Sequence, residues 1–106
     1  MEPSERIEKS KKILLQNAKD GLALYALAME YNSRGDFTAA LDYLDHLLKI
    51  DPTHVPGYYQ KALIHVKLSQ NDEAKSVLEA GLPKAAEAGH LHTRDKMREL
   101  LEAIDK

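Results

Sequence analysis

The hydrophobic positions of this chain recur at helical spacing, most clearly in the segment 36–52. Apolar residues three and four apart form a single stripe along a helix there. The stripe consists of Phe37, Ala40, Leu41, Leu44, Leu47 and Leu48. Asp36 can cap the first turn, and Pro52 prevents the helix from continuing. A lone helix of this length is marginal in water, so the stripe needs a packing partner.

That partner is predicted immediately upstream, in a helix over 21–34. Its apolar face carries Leu24, Leu27, Ala28 and Tyr31. Asp20 can cap its start, and Gly35 is expected to end it in a left-handed conformation. Only two residues separate this helix from the next, which predicts an antiparallel helical hairpin.

Further along the chain, the pattern predicts a second hairpin. Pro56 lies in the first turn of a helix that reaches about residue 68, where its missing N–H costs nothing. Asn71 can cap the following helix, expected over 72–88 with a kink at Pro83. No strand-like alternation occurs, so the sequence predicts an all-α fold.

Two more helices flank these hairpins. The first is predicted over 4–18, with Ser4 at its start and a thin apolar face. The last is predicted over 91–104, and Met97, Leu101 and Ile104 on one of its sides must be buried against the rest of the fold. Cys is absent, so neither disulfides nor a cysteine nucleophile are expected.

A shift of 34 residues aligns the segments 21–54 and 55–88. The matching pairs are Tyr25 and Tyr59, Ala28 and Ala62, Ala40 and Ala74, Leu44 and Leu78, and Leu48 and Leu82. A period of 34 in helix–turn–helix units is typical of the tetratricopeptide repeat. The first segment resembles that family's pattern at Leu24, Leu27, Ala28, Tyr31, Ala40, Leu44 and Pro52. The second resembles it less closely, because Lys61 and Ala86 replace the usual Leu and Pro.

This resemblance implies a short solenoid of antiparallel helical hairpins with about six helices. It implies one domain over 1–106, with repeats at 21–54 and 55–88 and capping helices at 4–18 and 91–105. Ala28, Ala40, Ala62 and Ala74 are expected where helices approach most closely, because larger side chains would overpack the contact. Leu44 and Leu78 are expected to fill the space between repeats.

The resemblance also implies a binding function, since the first helices of successive repeats line a groove that holds a partner peptide. The predicted partner-binding residues are Tyr25, Met29, Asn32, Tyr59, Gln60, Leu63 and Lys67, with Leu22, Ala26 and Ser33 on the same line. Tyr25 and Tyr59 either contact the partner or pack against the terminal helices. The carboxylate clamp of one family subtype is not expected, because Tyr25, Met29 and Gln60 occupy its positions.

Composition narrows the classes of partner. Fifteen basic residues stand against 17 acidic ones, a balance that argues against a nucleic-acid binder. No apolar run is long enough to span a membrane, and residues 1–12 lack the apolar core of a signal peptide. A cytoplasmic protein is therefore expected.

Residue types that carry chemistry do not form a recognisable site. Asp42 and His46 share a helix face opposite the apolar stripe, and His90 and His92 diverge on a helix, so no metal site is predicted. His65 replaces the family Tyr and is expected in the core. No nucleophile with a base and no phosphate-binding loop occurs, so neither catalysis nor a cofactor is expected.

Two function hypotheses remain open. The first is a protein–protein interaction module that binds a peptide or partner helix in the groove. The second is a structural protein that forms a homo-oligomer through the groove or the terminal helices, with no separate ligand. The mass in solution would separate them, because a stable dimer that buries the groove favours the second.

Overall fold

The structure, a computed structural model, describes residues 2–105 and the side chains of all of these except residue 3. This part of the chain contains six helices and no strand, which confirms the all-α prediction. The helices are α1 (Pro3–Gln16), α2 (Gly21–Ser33), α3 (Phe37–Ile50), α4 (Val55–Lys67), α5 (Asn71–Glu87) and α6 (Leu91–Ile104). They pack as two compact units, unit 1 (Met1–Pro52) and unit 2 (Thr53–Lys106).

Helices α2 and α3 begin where their capping residues predict. The Asp20 carboxylate accepts a hydrogen bond from the N–H of Ala23 at 3.0 Å, and the Asp36 carboxylate accepts one from Ala39 at 3.3 Å. Each bond satisfies one N–H of a first turn that has no partner within its own helix. The two acidic residues therefore fix the starts of both helices in the first hairpin.

The ends of α1 differ from the prediction. The helix starts at Pro3, so Ser4 lies inside its first turn, and the residue before it, Glu2, makes no side-chain cap. The helix ends at Gln16 rather than at Ala18. The Asn17 side chain accepts a hydrogen bond from the N–H of Lys19 at 3.1 Å, and this local turn competes with a further helical turn.

The core of unit 1 forms where α2 packs against α3 and α1 packs against α2. Its buried apolar residues are Ile7, Ala23, Leu24, Leu27, Ala28, Ala40, Leu44 and Leu47. Ala28 and Ala40 are fully buried, as the small positions of the repeat require. An ion pair between Arg6 and Glu30 further joins α1 to α2.

The turn that ends the first helix of each repeat has the same hydrogen-bond pattern. After α2, the N–H of Gly35 bonds to Asn32 at 3.0 Å and that of Asp36 bonds to Tyr31 at 2.9 Å. This is a Schellman motif, and it places Gly35 at φ 79°. The turn after α4 repeats the motif with Ser69 at φ 60°, the only non-glycine residue with positive φ between residues 2 and 105.

Helix α4 begins with a cap that the sequence analysis did not predict. Nδ1 of His54 accepts a hydrogen bond from the N–H of Gly57 at 3.0 Å. Histidine is not among the preferred capping residues, but a neutral imidazole nitrogen is an acceptor in the right place. Pro56 lies in the first turn, as expected.

Helix α5 is continuous through Pro83 and ends at Glu87, so the expectation of one long helix is met. Its start differs from the prediction, because Asn71 is the first helical residue rather than the cap. Gln70 precedes it and makes no side-chain cap. The oxygen of the Gln70 side chain instead accepts a hydrogen bond from Nδ1 of His65 at 2.8 Å.

That contact corrects the expectation for His65. Its side chain is half-buried and hydrogen-bonded near the end of α4, so it is not a packed core residue. An imidazole needs a polar partner when it leaves water, and the exposed turn after α4 supplies one.

The core of unit 2 joins α4, α5 and α6. One cluster of buried residues there comprises Val55, Ala62, Leu78, Ala85 and Met97, and partly buried side chains from all three helices pack around it. Leu101 and Ile104 belong to that surrounding layer, so the apolar side of α6 is packed, as its pattern predicts. Gly81 of α5 is buried where a side chain would collide with Tyr58 of α4 and Met97 of α6.

Candidate functional site

The predicted partner-binding residues of unit 1 lie along one side of α2. Tyr25, Met29 and Asn32 follow one another at spacings of four and three residues, and all three are half-buried. Tyr25 and Asn32 also interact with other residues of the protein. Leu22 on the adjoining line is 82% exposed, which is unusual for a leucine on a packed helix. The side of α2 therefore combines an exposed leucine with adaptable apolar and amide groups.

The predicted residues of unit 2 lie on α4. Tyr59, Gln60 and Leu63 are half-buried, and Lys67 at the end of the helix is exposed. Lys67 has an interaction partner within the protein. Tyr59 packs against the core of unit 2. Part of its ring therefore stabilises unit 2, so the two interpretations of this tyrosine are not exclusive.

Unit 1 contains an aromatic and cationic stack that was not predicted from the sequence. The rings of Tyr31 and Tyr43 are 5.7 Å apart and nearly parallel, at 10°. Nζ of Lys11 lies 5.8 Å from the centre of the Tyr31 ring, within the range of a cation–π contact. A hydrogen bond to the Tyr31 side chain raises the pKa of Lys11, and the charges of Tyr31 and Tyr43 add to the shift. The stack joins residues of α1, α2 and α3.

An ionic contact holds α6 near α5 in unit 2. Nζ of Lys75 lies 3.2 Å from an oxygen of Asp105. The hydrogen bond to Asp105 is the main reason why the pKa of Lys75 is raised. Both side chains are about half exposed, so this ion pair contributes little to the stability of unit 2.

A further group of residues that the sequence analysis did not single out lines a shallow pocket of about 340 Å³ between α5 and α6. It combines apolar residues from the second half of α5 with two arginines from α6, Arg94 and Arg98. The four-residue spacing of the arginines puts them on one helix face, and this was a signal available in the sequence.

Within residues 2–105, no three His, Cys, Asp or Glu side chains lie close enough to hold a metal ion. Asp42, Asp45 and His46 are exposed, in agreement with their place opposite the apolar stripe. The described helices include none that is both long and apolar enough to cross a membrane.

These features define a class of protein built from repeated helical hairpins with exposed side chains on their first helices. A family model described as the tetratricopeptide repeat matches residues 31–93, which is more than half of the chain. The chain belongs to the tetratricopeptide repeat family. The family and the fold class that the sequence resemblance predicted are thus confirmed. Among curated protein sequences, none matches.

Solved structures with the same fold include three tetratricopeptide-type proteins. PcrH, in complex with the chaperone binding region of PopD, has a TM-score of 0.90 at 18% identity, covering 97% of this chain and 78% of that one. The TPR2B domain of yeast Sti1, in complex with pHsp70, has a TM-score of 0.86 at 17% identity, covering 93% and 79%. The type III secretion translocator chaperone SycD of Yersinia enterocolitica has a TM-score of 0.90 at 14% identity, covering 97% and 72%. At such identities the likeness concerns the fold.

Proposed function

We propose that this chain is a protein-interaction module without catalytic activity, and that the exposed side of α2 in unit 1 and that of α4 in unit 2 each contact a partner protein. Membership of the tetratricopeptide repeat family carries this proposal. Two proteins of the same fold, PcrH and the Sti1 domain, have been solved with segments of other proteins bound, which supports it further.

The chemistry of the proposed surface favours apolar anchors in the partner. Met29 and Leu63 are half-buried, and each retains apolar area that a partner could cover. Tyr25 can add a flat, rigid contact, and the amides of Asn32 and Gln60 can bond to a peptide backbone. The expected partner segment is a helix or an extended strand with hydrophobic anchors.

Salt should affect this binding only weakly. Lys67 is the one charged residue among the proposed contacts, so few ion pairs would form with the partner. A carboxylate clamp would behave differently, because it depends on paired charges. Near-constant affinity between low and moderate salt is therefore expected for the partner segment.

Photo-crosslinking tests the proposed surface directly. The photoreactive residue p-benzoylphenylalanine replaces Met29 in one variant and Leu63 in another. Matched controls carry it at Asp42 and Ser76, exposed positions on the second helix of each repeat. In lysate of the source cells, adducts with another protein are expected at Met29 and Leu63 and not at the controls.

Two results would contradict the proposal. Equal adducts at Asp42 and Ser76 would show that the sides of α2 and α4 are not the binding surface. Adducts composed only of two copies of this chain, together with a dimer mass in solution, would replace the proposal with self-association. Mass spectrometry of the adducts and light scattering of the purified protein provide both measurements.

A further inference from the structure

The pocket between α5 and α6 of unit 2 combines two kinds of surface. Its apolar part comes from α5 and its cationic part from α6, and α5 adds one carboxylate. The lining residues are Glu79, Leu82, Pro83, Ala86, Arg94 and Arg98. At about 340 Å³ it has the volume of a small ligand site, at the lower end of the range of roughly 300–1,000 Å³.

The two arginines differ in how they are paired. Nε and Nη2 of Arg94 lie 3.2 and 3.1 Å from the same oxygen of Asp95, the next residue along α6. Arg98 makes no ion pair or hydrogen bond with any side chain among residues 2–105. Its planar guanidinium group can therefore offer two parallel donors to a carboxylate.

Glu79 lines the same pocket but forms no ion pair with Arg98 among residues 2–105. Glu79 lies one helical turn from Lys75, and its charge contributes to the raised pKa of that lysine, after the larger effect of the Asp105 hydrogen bond. Arg98 thus remains the available cation beside the apolar surface of Leu82, Pro83 and Ala86.

We propose that this pocket binds a peptide segment in which an acidic side chain stands next to an aliphatic one. The carboxylate bonds to Arg98, and the aliphatic side chain covers the surface of Leu82, Pro83 and Ala86. A purely apolar segment would desolvate Arg98 without pairing it, which is unfavourable. A small inorganic anion would leave the apolar surface uncovered. A peptide with both groups pairs Arg98 and also covers the apolar surface.

The proposal is independent of the surface on α2 and α4, because the pocket shares no residue with it. A partner that binds α2 and α4 can lack the acidic motif, and a peptide can bind the pocket when those helices are altered. Failure at one surface therefore leaves the other proposal standing.

Amide and arginine side-chain resonances of the ¹⁵N-labelled full chain can detect this binding even when it is weak. The probe is the peptide acetyl-Leu-Glu-Leu-amide, and its matched control is acetyl-Leu-Gln-Leu-amide. The acidic probe should shift Arg98 Nε–H and the amides of Leu82 and Ala86 in a saturable way. The control should bind roughly three- to tenfold more weakly, as expected for the loss of one charge-assisted contact near solvent.

Two further titrations distinguish other sources of a carboxylate or anion. Acetyl-Leu-Leu with a free terminal carboxylate should bind more weakly than the acidic probe. Tighter binding would overturn the assignment to an acidic side chain in favour of a chain terminus. Sodium phosphate that shifts the same resonances at equal concentration would overturn it in favour of simple anion binding.

Variants locate the site without disturbing the core. Arg98→Gln should weaken the acidic probe to the level of the neutral control, whereas Arg34→Gln, with the same charge change on an exposed residue of unit 1, should not. Ala86→Glu places a carboxylate in the pocket and should abolish binding. Glu79→Gln should strengthen it by removing repulsion. Equal affinity in the parent, Arg98→Gln and Ala86→Glu would refute the pocket as the binding site.

Discussion

Tyr58 closes the space beside Gly81 in unit 2. A Cβ atom on Gly81 would lie 2.7 Å from Cβ of Tyr58, a distance that real Cβ contacts essentially never show. It would also lie 2.7 Å from Cε of Met97. The methionine tip can move aside, but the tyrosine Cβ is fixed to the backbone of α4. The approach of these two helices therefore depends on the missing side chain of Gly81.

Gly81→Ala should lower the free energy of unfolding. Alanine favours helix over glycine by about 1 kcal/mol, but overpacking typically costs about 1–3 kcal/mol, so a net loss of up to about 2 kcal/mol is expected. Urea unfolding followed by circular dichroism measures it. Gly21→Ala is the matched control, because its nearest neighbour at 3.3 Å is the flexible tip of Leu47. A Gly81→Ala variant as stable as the parent would show that α4 can shift.

Ala40→Leu and Ala74→Leu should each destabilise the protein by about 1–3 kcal/mol through overpacking. Both alanines are fully buried in helices that pack against the preceding helix of their own hairpin. Ala80→Leu, on the exposed side of α5, should leave stability nearly unchanged. If the buried variants melt like the parent, the assigned repeat register is wrong.

Met97→Ala should cost about 2–5 kcal/mol, the usual range for removing a large side chain from a core. Met97 is fully buried in unit 2, whereas Leu91 at the start of the same helix is 51% exposed. Leu91→Ala should therefore cost much less. Similar unfolding curves for the two variants would mean that α6 does not contribute to the core.

Exchanging glycine and serine in the turns that follow α2 and α4 should change the free energy of unfolding in opposite directions. Ser69 adopts positive φ at a cost of about 1–2 kcal/mol for a non-glycine residue, so Ser69→Gly should gain roughly 0.5–1 kcal/mol. Gly35→Ser should lose a similar amount, and its cost is purely conformational, because no atom lies within 4 Å of the added Cβ. The double variant should unfold near the parent midpoint. A stabilised Gly35→Ser would contradict the argument.

The raised pKa of Lys11 predicts a change at high pH. The pKa of Lys11 in the folded chain lies above the ordinary value for lysine. The contact with Tyr31 therefore stabilises the folded chain fully at pH values below the ordinary pKa of lysine. This stability is lost as the pH rises through the folded pKa of Lys11. NMR titration of the Lys11 side chain measures the shift, and Tyr31→Phe should return the pKa toward its ordinary value. An unchanged pKa in that variant would assign the shift to another group.

The features that could be predicted from the sequence are those with local causes. Asp20, Asp36 and Gly35 act on backbone groups within five residues of themselves, so their roles follow from sequence position alone. The same local logic predicted one helix, kinked at Pro83, rather than two, since no capping residue precedes that proline to start a new helix, and α5 is a single helix.

Other features depend on which helices meet, and the sequence pattern does not specify this. Nothing in the sequence around Gly81 indicates that residues of α4 and α6 lie against it. The pocket beside Arg98 likewise forms only because α6 packs along α5. His65 failed as a core prediction for a different, local reason: it lies near the end of α4, and the turn that follows gives it Gln70 as a hydrogen-bond partner.

The packing within each unit has a consequence for the speed of folding. In unit 1, α1 packs on α2 and α2 on α3; in unit 2, α5 packs on α4 and α6 on α5, with a smaller contact between α4 and α6. Most native contacts therefore join segments that are close in sequence, and little entropy is lost in closing the intervening loops. Helical proteins with such local topology fold in roughly microseconds to milliseconds. Each unit is expected to complete its folding within that time.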